Sequence, residues 1–144
     1  GLMGIMARAA LEAGGHVIGI IPHHLERLEV ALHSISELML VDTMHERKAM
    51  MFSRADVFVV LPGGVGTLDE FVEMTTWAQL GLHAKPILLV NLNGYFRALL
   101  AHFDRLVHEG FADPETLTLF EVLPDMPALW ARLEGIAVSA PERQ

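Results

Sequence analysis

Apolar positions along this 144-residue chain follow two different periods. Short unbroken apolar runs at residues 16–21, 38–41, 57–61 and 86–91 read as strands buried on both faces, and a weaker run lies at 119–122. Between them, residues 3–13, 43–54, 66–80, 95–109 and 126–133 repeat apolar residues at helical spacing. Gly14-Gly15 and Gly110 stop two of these helices, and Asn93-Gly94 marks a turn. Thr43 and Glu46 fit a capping box, each side chain bonding the other's backbone N–H. The segment 23–37 is mixed and keeps no assignment. Strands alternating with helices of ten or more residues predict α/β architecture, a doubly wound parallel sheet with helices on both faces. Residues 1–137 are expected to form one domain, followed by a polar tail at 138–144. The chain opens Gly1-Leu2-Met3-Gly4, already entering a helix, so an amino-terminal segment of the native protein is expected to be missing.

Ligands of such sheets sit beyond the carboxyl ends of strands. At one such end stands Leu61-Pro62-Gly63-Gly64-Val65-Gly66-Thr67-Leu68-Asp69-Glu70. A glycine-rich turn from strand to helix leaves backbone N–H groups free at the positive end of the helix dipole, which suits phosphate. Helical spacing puts Leu68, Phe71, Thr75 and Leu82 near a sheet-packing face, and Glu70, Glu73 and Trp77 on another. Two readings fit the carboxylates: catalytic groups facing a phosphate turn, or a solvated acidic face favoured by the helix dipole.

A second constellation, Met44-His45-Glu46-Arg47-Lys48, starts a helix just past a strand end. Arg47 can hold a phosphate or carboxylate through two parallel hydrogen bonds, and Lys48 adds a point charge. An ordinary basic turn with surface ion pairs is the other reading. Eight histidines occur without metal-ligand spacing, so no metal is expected. Met39, Met44, Met50, Met51 and Met74 read as core or pocket filler.

Composition narrows the classes. The net charge of −8 argues against nucleic-acid binding, which needs many cationic phosphate contacts. An anionic ligand must therefore be held by local donors. Hydrophobic residues make up 52% of the chain and mean hydropathy is +0.39, yet no run is long enough to span a bilayer. The excess fits buried strands plus a subunit interface. The absence of cysteine excludes disulfides and thiolate chemistry. With no targeting segment in view, a cytoplasmic protein is expected.

Together the two constellations resemble the LOG (Lonely Guy) family of cytokinin riboside 5'-monophosphate phosphoribohydrolases, which have carried the label lysine decarboxylase. The family's PGGxGTxxE motif stands at Pro62 to Glu70 and its MHxRK stretch at Met44 to Lys48. Gly1-Leu2-Met3-Gly4, Val17-Ile18-Gly19-Ile20-Ile21-Pro22, Trp77-Ala78-Gln79-Leu80-Gly81, Lys85-Pro86, Asn93-Gly94-Tyr95 and Glu109-Gly110-Phe111 also match its pattern. The resemblance implies a Rossmann-like fold and hydrolysis of the N-glycosidic bond of an N6-modified adenosine 5'-monophosphate, giving free base and ribose 5-phosphate. It implies Arg47 and Glu70 at the reaction centre. Substrate contacts are implied at Glu29, Met44, Lys48, Gly63, Gly64, Val65, Gly66, Thr67, Glu73 and Thr76. No cofactor or metal is implied, and the assembly is a homodimer or larger. The 23–40 region and the missing amino-terminal strand depart from the family pattern.

Two rivals remain. Pyridoxal phosphate decarboxylation needs a Schiff-base lysine. Of the only two lysines, Lys48 is better explained as an anion contact, and Lys85 precedes Pro86 at a strand start. The second rival is a non-catalytic nucleotide-binding or carrier protein, which keeps the phosphate turn but does not require Arg47 with Glu70.

Overall fold

The computed structural model describes residues 1–28 and 34–139. They fall into two compact units, one ending at Ala55 and the other starting at Asp56.

In the first unit, helix α1 (Leu2–Glu12) ends at Ala13, and Gly14 follows at φ +82°, a left-handed conformation that glycine adopts without a Cβ penalty. Strands β1 (Ile18–Pro22) and β2 (Glu37–Val41) pair in parallel, Ile18 opposite Glu37 and Pro22 opposite Val41. The connection includes a 3-10 helix over His23–Leu28. A Cβ added at Gly19 would meet only side-chain tips, Ile35 Cδ1 at 2.5 Å and Leu38 Cδ1 at 3.5 Å. Ile20, Ile21 and Val41 are buried. Helix α2 (Met44–Arg54) packs against both strands. Thr43 Oγ1 caps it by accepting the Glu46 N–H at 3.1 Å. The reciprocal bond lands one residue early, with the Asp42 N–H donating to Glu46 Oε2 at 2.8 Å.

In the second unit, β3 (Phe58–Val60), β4 (Ile87–Val90) and β5 (Glu121–Leu123) form a parallel sheet in that order. The register sets Phe58 opposite Ile87 and Leu88 opposite Glu121. Every residue of the central strand β4 is at most 1% exposed, as its unbroken apolar run requires. Leu88 and Val90 pack against Leu129 of helix α5 (Met126–Ser139), with Leu133 and Ile136 beside them. By strand alternation Ile87 and Leu89 are covered on the opposite face. Helices α3 (Val65–Gln79) and α4 (Arg97–His108) join through Phe71, Phe103 and Phe120, whose ring centroids lie 5.1–5.8 Å apart at tilted or edge-on angles.

The expected α/β class and parallel pairing hold, with the strands distributed over two sheets. Helix α5 runs six residues past the expected 133, straight through Gly135. Leu82 is 64% exposed rather than sheet-packed, because α3 ends at Gln79 and Gly81 turns the chain at φ +72°. Met44 and Met51 are also exposed, at 39% and 37%. Among the described residues no helix is long and apolar enough to cross a membrane. The tail at 140–144 lies outside the described residues.

Candidate functional site

The glycine turn is built from the strand outward. Strand β3 ends at Val60, and Gly64 is the N-cap of α3 in extended conformation, without a side-chain cap. The first amide to enter the helical ladder is Leu68 N–H, which donates to Gly64 O at 3.2 Å. The amides of Val65, Gly66 and Thr67 precede it at the positive end of a 15-residue helix, with no acidic residue in its first turn. A Cβ built at Gly64 or Gly66 meets nothing within 4 Å, so the approach to these amides is open. Gly63 is different: a Cβ there would collide with the Thr67 hydroxyl. One glycine is demanded by packing, whereas two leave access.

Along α3, Phe71, Met74 and Thr75 are buried, and Asp69, Val72 and Thr76 are exposed. Glu70, Glu73 and Trp77 are half-buried on one stripe between these faces. The Glu70 carboxylate stands one turn past Thr67 and makes no hydrogen bond or ion pair with a described residue. The Thr76 hydroxyl donates to Val72 O at 2.8 Å, leaving only its acceptor lone pairs for a ligand.

Met44, His45, Arg47 and Lys48 lie on the first turns of α2, in the other unit. Arg47 is half-buried, and its Nε is shielded from solvent without a hydrogen-bond partner among the described residues. A shielded guanidinium N–H without a partner is costly, which makes this a site suited to an oxygen acceptor. Glu29 lies outside the described residues.

The first unit also holds an open groove of about 570 Å³ at the carboxyl ends of its strands, lined by His23, Asp42, Glu46, Met50 and Ser53 among others. Its carboxylates repel an anion, and helical spacing puts Met44, Arg47 and Lys48 on the other side of α2. This groove is therefore not where the anion-holding groups are. Among the described residues no cluster of three or more His, Asp or Glu has the arrangement of a metal site.

Tyr95 is a residue to which neither motif assigns a role. Its hydroxyl donates to Gly63 O at 2.7 Å across 32 positions of chain. The Asn93-Gly94 turn and the match of Asn93-Gly94-Tyr95 to the family pattern were the signals that Tyr95 is held in a defined place.

Comparison with known proteins agrees with the two motifs. A family model described as "Possible lysine decarboxylase" matches residues 3–133. A protein from Oryza sativa subsp. japonica named as a probable cytokinin riboside 5'-monophosphate phosphoribohydrolase is 52% identical over 93% of this chain and 59% of its own length. An Arabidopsis thaliana cytokinin riboside 5'-monophosphate phosphoribohydrolase is 46% identical over 94% of this chain and 59% of its own. A Rhodococcoides fascians protein with that name is 47% identical over 94% of this chain and 69% of its own. The chain spans about three-fifths of the length of the plant relatives it matches. On a family match that covers most of its residues and on these identities, the chain belongs to the LOG family.

Proposed function

We propose that this chain carries the catalytic machinery of a phosphoribohydrolase. It cleaves the N-glycosidic bond of adenosine 5'-monophosphate or an N6-modified form, releasing the base and ribose 5-phosphate. The observation that carries this reading is the open, uncapped start of α3, followed one turn later by a half-buried carboxylate without a described partner. The names of relatives 43–52% identical to the chain support the same reaction.

In this reading the amides of Gly64, Gly66 and Thr67 take the 5'-phosphate, with Gly63 and Val65 completing the turn and the Thr67 hydroxyl assisting. The ribose gains oxocarbenium character as the base departs. Glu70 stabilises that charge and accepts a proton from the attacking water. Arg47 binds an anionic oxygen of the substrate through its guanidinium, and Lys48 adds positive charge. Met44, Glu73, Thr76 and Glu29 contribute further substrate contacts. Water is the nucleophile, and the chain's own side chains hold the substrate and move the proton. The family label of lysine decarboxylase has less support: Lys85 lies 6.0 Å over the Phe58 ring, and Lys48 belongs to the anion-binding motif.

The enzyme is further proposed to be cytoplasmic, folded as a single domain over residues 1–137, and homodimeric or larger. Val65, Val72 and Leu80 leave exposed apolar surface on and just beyond α3, at 83%, 44% and 67%, which a second subunit would cover. Incubation with adenosine 5'-monophosphate and isopentenyladenosine 5'-monophosphate, followed by chromatography for free base, tests the reaction. Base release is expected; binding without release would instead identify a nucleotide carrier.

A further inference from the structure

The Asn93-Gly94-Tyr95 segment has no part in the reaction as described so far, yet it reaches the phosphate turn. Asn93 and Gly94 adopt φ +51° and +69°, and Gly94 N–H donates to Asn91 O while Tyr95 N–H donates to Leu92 O. Asn91 anchors this turn twice more. Its N–H donates to Leu123 O of β5 at 2.7 Å, and its Oδ1 accepts the N–H of the buried Phe96 at 2.7 Å. The Tyr95 ring meets the Phe96 ring edge-on at 5.0 Å. Tyr95 is thus presented by a tightly tied turn, even though it is 57% exposed.

Its hydroxyl donates to the carbonyl of Gly63 at 2.7 Å. That carbonyl and the N–H of Gly64 belong to one planar trans peptide, so directing one fixes the other in the opposite direction. The two torsions that would flip this peptide belong to Gly63 and Gly64, where no Cβ resists rotation. On the Gly63 side the Thr67 side chain already fills the space a Cβ would take. We propose that Tyr95 is a positioning residue for the anion site: by holding Gly63 O, it locks the Gly63–Gly64 peptide with the Gly64 N–H directed to receive phosphate. Accepting the phenol's hydrogen bond also polarises the peptide, which strengthens its N–H as a donor.

The inference rests on the phosphate-binding reading of the turn. Tyr95→Phe removes the hydroxyl and keeps the ring against Phe96, so the thermal midpoint should fall by no more than the few degrees that one hydrogen bond is worth. KM for the nucleoside 5'-monophosphate is expected to rise about three- to tenfold, the size of one lost hydrogen bond, with kcat within about twofold. In calorimetry, ribose 5-phosphate should bind the variant more weakly by the same factor, and adenine should bind it unchanged. Normal binding of ribose 5-phosphate by both proteins, with KM unmoved, would overturn the role of Tyr95 and leave the phosphate turn intact. Equal weakening of adenine and ribose 5-phosphate would overturn it too, as a general loss of structure. If wild-type protein itself fails to bind ribose 5-phosphate, the phosphate-turn reading falls and takes this inference with it.

Discussion

The turn between β3 and α3 shows how differently neighbouring glycines can act. Gly63 is a packing requirement, because Thr67 occupies the place of its missing side chain, whereas Gly66 opens space in front of helix amides. Gly66 also sits within the first turn of α3, where glycine is intrinsically unfavourable. Gly66→Ala should therefore stabilise the fold by about 0.5–1 kcal/mol. It should also raise KM for the nucleoside 5'-monophosphate, since the methyl enters the space assigned to phosphate. Thermal melts and initial rates on one preparation check both halves. A tighter KM, or an unchanged one, would mean that the phosphate lies elsewhere. The PGGxGTxxE spacing made this turn readable, but which glycine is structural and which gives access was not. That distinction depends on where the Thr67 side chain turns back.

At the scale of elements, α2 depends on its cap. Thr43, extended at φ −130° and ψ 161°, accepts Glu46 N–H, so Thr43→Ala should cost about 0.5–2 kcal/mol, read as a lower urea midpoint. The start of α2 could be foreseen because capping is local chemistry. The end of α5 could not. Gly135 argues for a stop near 133, yet Leu133 and Ile136 both pack under β4, and that burial outweighs a local glycine cost of about 1 kcal/mol. Leu82 failed for the converse reason: its helical spacing counts only if the helix reaches it, and Gly81 ends the run first. Strand existence was plain in unbroken runs such as residues 87–90, but which strand neighbours which was not. Periodicity gives each strand's burial, whereas pairing depends on contacts far apart in sequence.

Across the whole molecule, the carboxylate that supports stability is not the one proposed for catalysis. Glu121 receives a fork of hydrogen bonds from Arg132 at 2.7–3.0 Å, tying β5 to α5. Those bonds foremost, and the guanidinium charge, hold its carboxyl below the ordinary range against the opposing effect of burial. A carboxyl depressed by folding stabilises the native state above its unfolded pKa and loses that contribution as pH falls through its folded one. Glu121→Gln should therefore lower the urea midpoint at neutral pH, and the gap should close below about pH 4; a gap constant with pH would contradict this. Glu70 has no such partner among the described residues, which fits the proposed role in chemistry rather than one in stability. The most direct test is base release from isopentenyladenosine 5'-monophosphate in a single turnover, comparing wild type with Glu70→Gln and measuring nucleotide binding alongside. The rate in the variant is expected to be lower by about 10²–10⁴-fold, with binding retained. Base release at the wild-type rate would contradict the proposed role of Glu70.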